Sequence, residues 1–136
     1  MKIWHAVAYV NLAVLAADHF VTSLGALFLP HRSVSLYRRL FGAHLSLTPD
    51  LLVVLKPWGA LGIFAALAGT LPIVDPQRYR GVLYALLVLL VLRIYIRLAH
   101  ARAFQDRFAI SRRRNWFHIY LIVQAAAIIA AQLIWW

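Results

Sequence analysis

The chain has no cysteine and no glutamate, and its only acids are four aspartates. Without cysteine there is no disulfide framework, no thiolate metal site and no thiol nucleophile. Without glutamate the carboxylate-rich di-iron helical bundle has no ligands. The dense H-x-x-x-H and H-x-x-H-H clusters of a membrane di-iron oxygenase are missing as well. So are the P-loop, G-x-S-x-G and H-E-x-x-H motifs. Charge is scarce: 13% of residues carry one, where a soluble domain has about a quarter. So few charges cannot cover a water-facing surface, which excludes an ordinary cytosolic domain, and the apolar content excludes a disordered chain.

What is abundant is apolar side chain, 64% of 136 residues. It gathers into four runs, at about 4–29, 50–74, 79–101 and 116–136. Crossing the hydrocarbon core takes about 20 mostly apolar residues, so each run is long enough. None alternates with period two, which excludes a β-barrel. The expected fold is an all-α integral membrane protein, four transmembrane helices in an antiparallel bundle forming one domain over 1–136. The Met1-Lys2 start followed by apolar residues has the look of a signal peptide, with cleavage near Ala16. The run continues to Leu29, longer than such a peptide needs, and reads as a retained span.

Punctuation between the runs is clear. Pro30-His31-Arg32 closes the first, Thr48-Pro49-Asp50 is a helix-start signal for the second, and Asp75-Pro76 stops it. The stretch 33–47 spaces Leu36, Leu40, Phe41 and Leu45 among Arg38, Arg39 and His44. That pattern predicts a short amphipathic helix in the membrane interface; an irregular polar loop is the alternative.

The 14 cations give a net charge of +10, which on composition alone invites a nucleic-acid reading. Their placement argues otherwise. Arg32, Arg38, Arg39, Arg102, Arg107, Arg112, Arg113 and Arg114 fall in the first and third connections, and Lys2, Arg78 and Arg80 on the other side. By the positive-inside rule the first and third connections are cytoplasmic and both termini lie outside, in a bacterial inner membrane. Trp4, Trp116, Trp135 and Trp136 stand at span ends as interfacial anchors. Arg38, Arg39, Arg102, Arg112, Arg113 and Arg114 are the expected contacts to anionic lipid headgroups, at about 1 kcal/mol each. No nucleic-acid partner is expected.

The chemistry-bearing residues inside the runs are few. Asn11, Asp18, Thr22 and Gly25 share one face of the first span, a face expected to point into the bundle. Lys56 and Arg93 are the cations expected to pair with Asp18, and Arg97 follows Arg93 one turn on. Three embedded cations against one acid leave a surplus positive charge, which favours a lipid phosphate or a partner's acid as counterion. His19 is the one histidine deep in a span, and His118 lies near a span start. Haem between helices needs two histidines at matching depth, so these are weak metal candidates and no cofactor beyond bound lipid is expected. Gly59, Gly62, Ala66 and Gly69 form a small-residue seam for close helix approach, and Gln124 and Gln132 can bond across helices.

Trp58-Gly59-Ala60-Leu61-Gly62, the Asp75-Pro76-Gln77-Arg78 turn and the following span with Arg93 resemble small bacterial four-span proteins of the DoxX-like class. The resemblance covers about half the chain and implies the fold and membrane location, with no implied activity. The seams and the lack of catalytic motifs point first to a non-catalytic integral subunit packing against other integral membrane subunits of a larger complex, respiratory or photosynthetic. A small transporter or lipid-handling protein using Asp18 with Lys56 or Arg93 is the second reading. A haem- or quinone-linked redox protein is the third.

Overall fold

The computed structural model describes residues 2–135, and they form six helices. Four are long and apolar enough to cross a membrane: Ile3–Phe28, Pro49–Val74, Arg80–Ala99 and Arg112–Trp135. They correspond to α1 (Lys2–Phe28), α3 (Pro49–Val74), α4 (Arg80–Ala99) and α6 (Arg112–Trp135). Two short helices, α2 (Pro30–Phe41) and α5 (Ala101–Phe108), sit in the first and third connections. Large apolar side chains such as Val53, Phe64 and Ile134 face outward on the long helices. That is the surface a lipid solvent accepts and water does not.

Local signals explain the helix starts. Thr48 caps α3, its hydroxyl accepting the Leu51 N–H at 3.2 Å, with Pro49 in the first turn and Asp50 beside it. An oxygen acceptor and a negative charge both suit the free N–H groups and positive pole of a helix start. Asp75 ends α3 and its carboxylate accepts the Arg78 N–H at 3.0 Å, which folds 76–79 into the turn before α4. Pro57 and Pro72 lie inside α3 without ending it.

Two boundaries differ from the sequence pattern. The amphipathic helix expected over 33–47 is Pro30–Phe41, and residues 42–48 are not helical. Pro30, read as a stop for the first span, is also the start of α2: its fixed φ suits a first helical turn. Likewise α6 begins at Arg112, four residues before the expected 116. Trp136, the last expected anchor, lies outside the described residues.

Both short helices end with a residue in the left-handed region. Gly42 has φ 68 and Ala109 has φ 55. The N–H groups of Gly42 and Ala43 bond back to Arg38 and Tyr37, those of Ala109 and Ile110 to Gln105 and Phe104. This double bonding satisfies the last carbonyls of each helix. Glycine suits the geometry; alanine is strained there by roughly 1 kcal/mol. Ala109→Gly should therefore raise thermal stability slightly, whereas Gly42→Ala should lower it, because its new methyl would also meet the Arg114 guanidinium. A lower melting temperature for Ala109→Gly would contradict this account.

Among the long helices, α1 packs most extensively on α3 and α4 on α6, with smaller contacts between α3 and α4 and between α1 and α6. Passing along α3 from Gly59 to Gly62, the facing α1 residue moves from Leu27 back to Ser23 and His19. The seam expected from Gly59, Gly62, Ala66 and Gly69 is thus used inside the chain: the first two meet α1, Gly69 meets Leu86 of α4, and Ala66 is buried.

The bundle has two unlike halves. Leu12, Leu83, Leu90, Ala125, Ala126, Ile129 and Leu133 form an apolar core toward the chain termini. Trp4 and Trp135 stack edge-to-face at 5.0 Å beyond it, and the Arg80 guanidinium donates to the Leu133 carbonyl. The other half, where the first and third connections meet, is polar. There the His44 N–H donates to the Phe108 carbonyl at 2.8 Å, joining the two connections directly.

Gln124 and Gln132, expected to bond across helices, lie in different environments and neither makes such a bond among the described residues. Eight residues advance the helix by about 80° beyond two full turns. Gln124 is exposed and donates to Tyr120 of its own helix at 2.8 Å, while Gln132 is fully buried with no hydrogen-bond partner for either amide atom.

Candidate functional site

Four elements bring polar side chains together in the connection half. Helix α1 supplies Asp18, His19 and Thr22, α2 supplies Tyr37, α4 supplies Arg93 and Arg97, and α6 supplies Arg114, Asn115 and His118. The placement follows from packing. The interior stripe of α1 runs through Ala8, Leu12, Ala16, Ser23 and Ala26, so the stripe Asn11, Asp18, Thr22, Gly25 falls about 100° to one side. That side faces α2 and α6: Gly25 lies against the Ser33 hydroxyl of α2, and the Asn11 amide reaches the Ala125 carbonyl of α6 at 3.5 Å.

The polar stripe therefore does not point into the bundle centre as the sequence suggested. Asn11, Thr22 and Gly25 are half-buried and Asp18 is exposed. The expected pairing of Asp18 also changes. Arg93 meets the neighbouring His19, Nη1 to Nε2 at 3.1 Å, while His19 Nδ1 lies 2.8 Å from the Leu15 carbonyl. A carbonyl only accepts and a guanidinium only donates, which fixes the Nδ1–H tautomer. Lys56 is exposed on α3. Since Gly59 faces Leu27, Lys56 stands at least two and a half turns of α1 from Asp18, too far in depth to pair with it.

Arg97 is held from three sides. Its guanidinium donates to Asn115 Oδ1 at 2.9 Å, Asn115 Nδ2 donates back to the Arg97 carbonyl at 3.2 Å, and the Phe104 ring lies 5.7 Å from the guanidinium carbon. Asn115 is buried, 5% exposed. Arg114 packs its guanidinium against Gly42, tying the start of α6 to the end of α2. His118 lies in the combined field of Arg97, Arg114, Arg93 and Asp18, with its ring against Phe117 at 5.9 Å.

Tyr37 closes the cluster from α2. Burial pushes its phenol above the ordinary value, and the Asp18 charge adds to the rise; the Arg93 charge and the Thr22 hydroxyl bond act against it. The phenol stays protonated at neutral pH and keeps its O–H as a donor. Thr22 itself donates to the Asp18 carbonyl at 2.6 Å.

The arrangement suits an anion better than a metal. Among the described residues no three histidine, cysteine or acid side chains gather. Both ring nitrogens of His19 are engaged, so neither is open to haem iron or another metal, and three guanidiniums around His118 oppose a cation. Arg93 and Arg97 are met by neutral acceptors, an imidazole nitrogen and an amide oxygen.

No family model, curated protein or solved structure matches the chain.

The DoxX-like resemblance therefore rests on the sequence pattern alone. Of the expected headgroup contacts, Arg38 and Arg39 are exposed on α2, Arg102 on α5, and Arg112, Arg113 and Arg114 at the start of α6. Tyr37 and Asn115 carry no signal in the sequence. Asn115 follows three arginines and precedes the expected span, and only the packing of α6 on α4 brings it to Arg97.

Proposed function

We propose that this is an integral membrane protein that binds and handles an anionic amphiphile at the arginine cluster of its connection half. In this reading the four spans form an antiparallel bundle in a bacterial inner membrane, α2 lies in the interface, the first and third connections are cytoplasmic and both termini are outside. The order of the α1–α3 contacts and the basic connections support that arrangement.

One observation carries the functional reading. Arg93 and Arg97, on a helix apolar enough to span, are held by neutral acceptors, and Asp18, the acid whose charge is felt at Tyr37 and His118, is outnumbered by Arg93, Arg97 and Arg114. Ionisable groups at membrane depth are costly unless countered. A phosphate or carboxylate headgroup supplies the missing negative charge, and the apolar outer faces suit its tail.

Reconstitution tests this. With protein in nanodiscs containing anionic phospholipid, Arg93→Gln should lower the lipid retained on extraction about five-fold, as removal of one cation's attraction requires, and Arg93→Lys should largely restore it. Equal retention by Arg93→Gln and the unaltered protein would refute the proposal, provided both melt at similar temperatures.

A second reading is a non-catalytic subunit of a larger membrane complex. Its support is the exposure of Asp18, Lys56 and Gln124 on helices of spanning length, since polar groups facing lipid are costly and a neighbouring subunit would cover them. Recovery from mild detergent only as a free monomer would count against it.

A further inference from the structure

A groove of about 380 Å³ lies beside the cluster, between α4, α5 and α6, and shares Asn115 with it. This volume falls within the range of small-ligand sites, roughly 300–1,000 Å³. Its polar rim is Arg102, Gln105 and Arg112, and its lining contains no carboxylate. Its apolar wall is Leu98, Trp116 and Ile119. The floor includes Asn115, whose amide is already committed to Arg97.

We propose that this groove seats the phosphate headgroup of a lipid, with Arg102 and Arg112 as its counterions and the tail leaving past Leu98 and Trp116. Both arginines are exposed, and so are Leu98 and Trp116. Cationic rim and apolar wall thus meet along one open edge, which is the shape of an amphiphile. A free anion would have no use for the wall. Two guanidiniums offer paired N–H donors that match phosphate oxygens, and Gln105 adds an amide donor. Arg112 and Asn115, from the first turn of α6, line the groove, and the helix dipole adds to the positive potential there. Behind the floor, Arg97 contributes a further positive charge through its bond to Asn115.

The proposal rests on the reading of the chain as a binder of anionic amphiphiles, and it adds a place for the headgroup separate from Arg93. The experiment uses the full chain in nanodiscs of phosphatidylcholine with a minor fraction of phosphatidylglycerol. Native mass spectrometry reads the phosphatidylglycerol retained. At about five-fold per cation, Arg102→Gln with Arg112→Gln should weaken retention roughly twenty-five-fold. Arg32→Gln with Arg107→Gln removes the same charge from the two basic connections, outside the groove, and should change it less than about three-fold. Ala101→Trp fills the groove without touching charge and should reduce retention as much as the double arginine variant. Millimolar inorganic phosphate should not displace the lipid.

Equal losses from the two double variants would overturn the proposal in favour of diffuse surface attraction. Displacement by phosphate would overturn it in favour of a free-anion site, and normal retention by Ala101→Trp would overturn it outright. If the groove variants retain lipid while Arg93→Gln does not, the groove fails and the cluster reading stands. The reverse pattern supports the groove and removes the cluster. Melting temperatures within a few degrees of the unaltered protein keep each comparison a binding comparison.

Discussion

Gly59→Leu is expected to prevent α1 from docking on α3, and Gly59→Ala to cost roughly 1–3 kcal/mol, the range for overpacking a close contact. A Cβ on Gly59 would stand 2.8 Å from Leu27 Cγ, 3.0 Å from the Ser23 carbonyl oxygen and 3.3 Å from the Leu27 nitrogen. Two of these are backbone atoms of the opposing helix, so no rotamer change relieves them. The whole of α1 would have to move outward, and α1 on α3 is the largest helix contact in the molecule.

The other glycines grade the effect. At Gly62 the new methyl would fall on the Ser23 hydroxyl and 3.0 Å from Ser23 Cβ. The hydroxyl can rotate and the Cβ cannot, so Gly62→Ala should cost somewhat less than Gly59→Ala, and Ser23→Ala in the same chain should recover only part of it. At Gly69 the nearest atom is 3.9 Å away, and at Gly81 nothing lies within 4 Å. There alanine's better helix propensity, by about 1 kcal/mol over glycine, should make the change neutral or mildly stabilising. Thermal loss of helical circular dichroism in detergent gives the ranking on purified protein. If Gly59→Ala melts with Gly81→Ala, the seam is not where α1 and α3 meet. A seam used only by a neighbouring subunit would leave all four variants alike in isolation.

The spans were legible because length and apolarity are properties of contiguous sequence. The Thr48-Pro49-Asp50 start was legible because a cap acts on residues within one turn. Facing directions were not. Helical spacing correctly put Asn11, Asp18, Thr22 and Gly25 on one side of α1, but which side meets the bundle depends on the other helices. Here Ser23 and Leu27 meet α3 at Gly59 and Gly62, and the polar stripe is left to α2 and α6.

Pairing was equally hidden. Opposite charge suggested Asp18 with Lys56 or Arg93, yet depth separates Lys56 from Asp18, and His19, one residue on, reaches Arg93. Sequence separation explains the two residues missed outright. Tyr37 reaches Thr22 through the turn-back of α2, and Asn115 reaches Arg97 across two packed helices.

Asn115→Leu should be the most destabilising polar substitution in the connection half. Arg97 would lose its guanidinium's side-chain acceptor, and its carbonyl the Asn115 donor. A hydrogen bond to a charged group contributes about 1.5–3 kcal/mol and a neutral one about 1, so the expected loss is roughly 2–4 kcal/mol. Phe104 still covers part of the guanidinium, which keeps the value below that of a bare buried charge. Adding Arg97→Met to Asn115→Leu should recover most of it, because two apolar residues leave no orphaned charge. Unfolding in mixed detergent micelles measures the cycle, and a double variant no better than Asn115→Leu alone would show that the pair is not coupled. Asn115→Asp separates structure from binding. The carboxylate keeps the acceptor for Arg97 and gains an ion pair with its guanidinium, which offsets the oxygen–oxygen repulsion that replaces the bond to the Arg97 carbonyl, so stability should stay within about 2 kcal/mol of the unaltered protein. Its negative charge, however, offsets a cation in the cluster and stands in the floor of the groove. Retention of anionic lipid should fall about five-fold while the melting temperature holds. If lipid retention and stability instead fall together, the Arg97–Asn115 pair is only scaffolding; if neither falls, the surplus positive charge does not hold the lipid.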